Sequence, residues 1–155
     1  DDARSDERVQ DQIEARAIAE ARAGWDGLYF GGTAFKKQRP VAEEDYTKSA
    51  QIAKDWMDVV CTSGQATGVE AEETKVATFR DAIGDATLAL ASVITPDNAH
   101  RYREVNAFMV ATGINHEGNF YDIDPERLRR LMRVTEELGE NTRPTAHATI
   151  GGISS

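Results

Sequence analysis

Between Val69 and Ile94 the chain places Val76, Phe79, Ile83, Ala86, Leu90 and Val93 at steps of three and four residues. Residues three and four apart share one helix face, so the spacing predicts a single amphipathic helix through this stretch. A stripe of that length needs a facing surface, and this constrains the rest of the chain. Leu88 lies off the stripe and is available for a second contact.

Four further segments read as helices that supply the facing surface. In residues 42–64, Tyr46, Ala50, Ala53, Met57 and Val60 keep the same period, Ile52, Trp56 and Val59 widen the face, and Gly64 ends it. Near residue 95, Thr95 caps and Pro96 takes the first helical position, with Ala99, Tyr102, Val105 or Asn106, and Met109 facing inward. Asp124 and Pro125 repeat that logic ahead of Leu128, Leu131, Met132, Thr135 and Leu138, and Gly139 closes the segment. The first helix, capped by Ser5 and stopped by Gly24, has only Val9, Ile13 and Ile18 as large apolar residues among five alanines. So thin a stripe gains little from an internal core, and the helix can project.

The expected fold is therefore all-α: about five helices forming a bundle-like single domain over residues 1–141, with residues 1–24 as the projecting helix. Residues 142–155 read as an extended C-terminal arm, within which "TAHATI" alternates polar and apolar like a strand. Trp56, Phe79, Ile83, Leu90, Leu128 and Leu131 are the expected core. At 155 residues one domain is the natural unit.

The formal net charge of −9 argues against a general nucleic-acid binder, which must neutralise phosphates, and against an anionic membrane surface. No apolar run approaches the ~18 residues that span a bilayer, and no secretory signal is read. The single cysteine, Cys61, cannot form an intrachain disulfide, which argues against a disulfide-stabilised secreted protein. It reads as a half-buried thiol on a helix. The expected location is the cytoplasm or a virion.

"GWDGLYFGGTAF", residues 24–35, holds four glycines and four aromatics. A Walker loop needs Lys and Ser/Thr after its last glycine, and here Thr33 and Ala34 follow Gly32. A dinucleotide loop needs G-x-G-x-x-G after a strand, which Gly24 and Gly27 do not supply. What remains is an aromatic anchor: Trp25, Leu28, Tyr29, Phe30 and Phe35 either fold back on the chain's own helices or dock on a partner. With Thr145, His147, Thr149 and Ile150 of the arm, these are the expected partner contacts. "FKKQRP", with Lys36, Lys37 and Arg39, reads as a solvated basic loop, the alternative being a contact for an acidic partner surface or a nucleic-acid backbone. Arg127, Arg129, Arg130 and Arg133 fall within seven residues and read as a salt-bridged helix face, with Arg129, Arg130 and Arg133 as the alternative contact for phosphate or an acidic partner.

No metal-ligand spacing is complete. Asp97 and His100 form one Asp-x-x-His with no second copy, and "NHEGNFYDID" has the composition of a calcium loop without its spacing. No cofactor is expected. These patterns point to a non-enzymatic structural or adaptor subunit of a larger assembly, such as a virion or phage-connector component, with protein partners in a homo-oligomer or hetero-assembly. The alternative is an enzyme or accessory subunit using His116, Glu117, Asp122 and Asp124 in the loop between the fourth and fifth helices. A regulatory module acting through the arginine-rich helix is the third reading.

Overall fold

The computed structural model describes residues 12–38 and 40–142. Among these are four α-helices and four short strands, in the order α1 Gln12–Arg22, β1 Phe30–Gly32, α2 Tyr46–Trp56, β2 Val59–Thr62, α3 Glu73–Ile83, β3 Thr87–Leu90, β4 Ala107–Phe108 and α4 Pro125–Thr142. The strands form one sheet in the order β1-β2-β3-β4, every neighbouring pair parallel. The fold is α/β, and the all-α bundle is wrong.

The error lies in three segments. The helix beginning at Tyr46 stops at Trp56, and Val59, Val60, Cys61 and Thr62 become β2. The helix through Val76 stops at Ile83, because Gly84 turns the chain out with φ +61, and Thr87–Leu90 becomes β3. The helix expected after Pro96 is only a 3-10 turn at Ala99–Arg101, followed by β4. β4 is a half-buried edge strand of two residues, too short to carry a pattern. β2 and β3 are central parallel strands, buried on both faces, and each reads as an unbroken apolar run. Such a run lacks the alternation that marks a half-exposed strand and fits a helical stripe equally well. The "aromatic loop" likewise contains β1. The first helix is found at Gln12–Arg22, and α4 takes the place expected of the fifth.

The helices α2 and α3, which connect successive parallel strands, pack on one face of the sheet. The larger core lies there. Val60, Leu88 and Leu90 of the sheet meet Ala50 and Ala53 of α2 and Val76, Phe79 and Ile83 of α3, all buried. Of the expected core, Phe79, Ile83, Leu90 and Leu131 are buried, while Trp56 and Leu128 are half-buried against it. The other face carries small residues, with Gly32, Cys61, Ala89 and Ala107 in one register row. Val59, Cys61 and Ala89 form a second buried cluster there, under Phe35. Cys61 is thus a buried strand thiol rather than a half-buried helical one, and burial pushes its pKa up to about 11.

At the amino edge of the sheet Arg80 of α3 stitches the approaches to β3 and β4. Its guanidinium donates to the carbonyls of Gly84 (2.6 Å), Ala86 (2.9 Å) and Glu104 (2.8 Å) and to Asn106 Oδ1 (2.7 Å). That Asn106 oxygen also accepts the Leu88 N–H at 2.9 Å. Beside β1, Arg22 of α1 donates to Trp56 O at 3.2 Å, pairs with Asp58 and lies over the Tyr29 ring. Among the described residues no helix is long and apolar enough to cross a membrane.

Candidate site at the carboxyl edge of the sheet

In open parallel α/β sheets the loops that follow the strands converge on one edge, and ligands bind there. Here that edge is built by residues 33–38 after β1, 63–68 after β2, 91–95 after β3 and 109–113 after β4. The opposite, amino edge is the one stitched by Arg80.

The loop after β1 is the most constrained of the four. Ala34 (φ +46) and Lys37 (φ +63) are the positive-φ residues other than glycine among the described chain, and both sit here. Side chains disfavour that region by roughly 1–3 kcal/mol, so such a residue persists only where its surroundings over-determine it. The surroundings are visible. Lys75 Nζ donates to Ala34 O at 2.6 Å and to Ser63 O at 2.8 Å, and Thr62 Oγ1 donates to Ala34 O at 3.4 Å. The Lys36 N–H donates to Ser63 Oγ at 2.8 Å, while Lys36 Nζ reaches across β2 to Ala91 O at 3.0 Å. Two lysines thus fasten the loop after β1 to the ends of β2 and β3.

Lys75 is the third residue of α3 and only 5% exposed. Its ammonium lies 5.1 Å from the Tyr46 ring centre and 6.0 Å from that of Phe79. Burial pushes its pKa down to about 8, against the opposing pull of Glu72. Burial also raises the Tyr46 hydroxyl above its ordinary value. A buried amine perturbed by desolvation and set in a cleft marks a candidate functional site.

The cleft is present. A cavity of about 390 Å³ opens between the loop after β1, the start of the loop after β2, and Tyr46 and Lys75. Lys36, Lys37 and Lys75 line it, against one lining carboxylate, Glu43. On a chain of net charge −9 this is a local reversal of sign. Gln38, Tyr46 and Gln65 add neutral hydrogen-bonding groups. The other rim loops are tied together behind it. Ser92 Oγ donates to Val69 O at 3.1 Å, Asn98 Nδ2 to Glu70 Oε1 at 2.9 Å, and Tyr102 OH to Ala71 O at 2.8 Å. Gly113 lies so close to the loop after β3 that a Cβ there would sit 1.8 Å from Ile94 O.

The residues singled out from sequence scatter around this edge. Trp25 and Leu28 are exposed ahead of β1, Phe30 is an exposed edge residue of β1, and Tyr29 and Phe35 are half-buried against the chain's own two cores. Thr145, His147, Thr149 and Ile150 lie outside the described residues. Arg129 pairs with Glu126 at 3.2 Å, Arg130 with Asp97 at 2.8 Å and Arg133 with Glu126 at 3.7 Å, so all three take part in ion pairs.

The loop containing His116, Glu117 and Asp122 is knit within itself. The His116 N–H donates to Asp122 O at 3.1 Å, Asn119 Nδ2 donates to Asp122 Oδ2 at 2.6 Å, and His116 Nδ1 stands 3.7 Å from Asp124 Oδ2. Asp124 caps α4 by accepting the N–H groups of Arg127 and Glu126, which, the first foremost, hold its pKa below the ordinary value. Among the described residues no three His, Cys, Asp or Glu side chains converge to hold a metal ion.

Lys75 and Ser63 were missed from sequence, and Lys36 was seen only as part of the basic stretch "FKKQRP". The available signal was the succession of an apolar run, Val59–Thr62, by "SGQATG" and then a helix, which is the order of a strand, its carboxyl-end loop and the next crossover. Compared with family models, curated proteins and solved structures, the chain finds no match.

Proposed function

We propose that the chain binds a small anionic metabolite, a phosphorylated or carboxylated compound, in the cleft at the carboxyl edge of its sheet. The observation that carries this reading is the strained loop of residues 33–38, held by Lys36 and Lys75 over a cavity with three lysines and one carboxylate on its walls. Strain kept in one loop and pinned by two cations favours a preorganised anion site over a merely solvated basic loop. Lys36 and Lys37 supply the charge, Gln65 and the Tyr46 hydroxyl orient the ligand, and Lys75 holds the two loops at their spacing. With its pKa near 8, Lys75 also gives the cleft a group able to exchange a proton.

Thermal unfolding with inorganic phosphate and with a panel of small phosphorylated and carboxylated compounds is the test. A ligand at 100 times its dissociation constant stabilises the folded chain by about 2.7 kcal/mol. At least one anion should raise the melting temperature of the native chain and leave Lys36→Met unmoved. If no anion acts, or if Lys36→Met responds as the native chain does, the reading fails.

A second reading, a structural or adaptor subunit, draws on the exposed Trp25, Leu28 and Phe30 around the start of β1. Its test is the mass of the native particle, with Trp25→Ala expected to weaken assembly without loss of helix content.

A further inference from the structure

A lysine is seldom buried unless a carboxylate pairs with it. The buried amine of Lys75 is met instead by two neutral oxygens, Ala34 O at 2.6 Å and Ser63 O at 2.8 Å. An ammonium has three N–H donors for those two acceptors. A neutral amine has two N–H bonds and one lone pair. The same two carbonyls satisfy both of its N–H bonds, and the lone pair is the remaining direction at nitrogen. Two further features favour the neutral form. Lys75 is the third residue of α3, in the first turn of an 11-residue helix, where the positive end of the helix dipole disfavours a cation. Burial acts in the same sense, and a pKa near 8 makes the neutral amine on the order of a hundred times more abundant at pH 7 than the ordinary 10.5 would. This amine stands in the wall of the cleft of about 390 Å³, together with Lys36 and Lys37.

We propose that Lys75 is a covalent site, whose Nζ forms an imine with the carbonyl carbon of a small anionic aldehyde or ketone held in the cleft by Lys36 and Lys37. This rests on the anion-binding reading above and narrows its ligand to a carbonyl compound, a 2-oxo acid or a phosphorylated ketone. The amine lone pair adds to the carbonyl carbon and opens the C=O π bond. Both amine hydrogens pass to the carbonyl oxygen, which leaves as water, and a C=N bond to Nζ takes its place. The step is redox-neutral and needs no reactant beyond the amine and the ligand. Once protonated, the imine keeps one N–H, which one of the two carbonyls can still accept. The cationic imine then withdraws electrons from the adjacent carbon of the ligand, as covalent amine catalysis requires. An amine held by two backbone oxygens, with charge for an anion beside it, is preorganised for this addition.

Reductive trapping on the full 155-residue chain is the test. The native chain is incubated with pyruvate or with dihydroxyacetone phosphate in the presence of cyanoborohydride, which reduces an imine to a stable secondary amine. Peptide mass then locates the adduct. At least one of the two compounds should label Lys75 about tenfold or more above the exposed Lys48 and Lys54 of α2, because more of its amine is neutral. Lys36→Met, which removes charge that holds the anion, should lower the Lys75 label towards that background. A Lys75 left unlabelled by both compounds, or labelled no more than Lys48 and Lys54, overturns the proposal. So does a Lys75 label that Lys36→Met leaves unchanged. The first comparison is made within one native chain, so it decides even if the variant fails to fold. The anion reading is judged apart from this by its thermal shift. A shift without an adduct keeps the anion site and overturns the covalent step alone, and the loss of both overturns the two together.

Discussion

At the scale of single residues, Lys75 shows how a charge becomes structural and functional together. In the sequence it is one lysine among the acids and threonines of "EETKVATF", and nothing marks it. In the fold it is buried, with two carbonyl oxygens as acceptors and an aromatic ring beside it. Those partners favour the ammonium, yet desolvation outweighs them and lowers the pKa from 10.5 to about 8. A lowered lysine pKa means that the unfolded chain binds more protons than the folded chain between the two values. Stability contributed at this site must therefore rise as pH climbs from about 8 towards 10.5, and be flat below 8. The comparison that isolates it is the unfolding free energy of the native chain against Lys75→Met across that window. The difference should shift in favour of the native chain as pH rises, and a constant difference would mean that the amine is not titrating there. Cys61 is the opposite case. Its pKa near 11 leaves it a neutral thiol at physiological pH, so it packs as a small apolar group.

At the scale of elements, what could be read from sequence followed how much of each element meets water. α4 was legible because it is a surface helix with a cap, Asp124-Pro125, and a polar outer face. α2 and α3 were legible for the same reason up to Trp56 and Ile83. β2 and β3 were not, because "VVCT" and "TLAL" lie between two packed layers and have no polar side to alternate with. The heptad count through Val76, Phe79 and Ile83 ran on into Ala86 and Leu90 because both continuations are apolar; only Gly84 and Asp85 interrupt, and Gly84 is where the backbone turns. Leu90 is therefore buried for a different reason than its spacing implies. It belongs to β3, pairs in register with Thr62 and Phe108, and contributes to the helix-side core. Leu90→Ala should cost about 2–5 kcal/mol, as a truncation that leaves a cavity does. A melt unchanged by it would mean that the sheet is not packed as described.

At the scale of the whole molecule, the site was illegible because the sequence separates what the topology joins. Lys36, Ser63, Lys75 and Ala91 belong to three crossovers and meet only because parallel strands deliver every second loop to the same edge. The same topology closes the cleft within one chain, by the ends of β1 and β2 and the helices α2 and α3. Lys36 lines the cleft and hydrogen-bonds across the sheet end to Ala91, so one side chain both charges the cleft and joins the loop after β1 to the end of β3. A single chain therefore supplies the whole site, and calorimetry with the anionic ligand should read one ligand per chain. Lys36→Met should lose the thermal shift. A stoichiometry of one ligand per two chains would instead mean that the site lies on a two-fold axis between copies, and that the lysines of one chain are insufficient to hold the ligand.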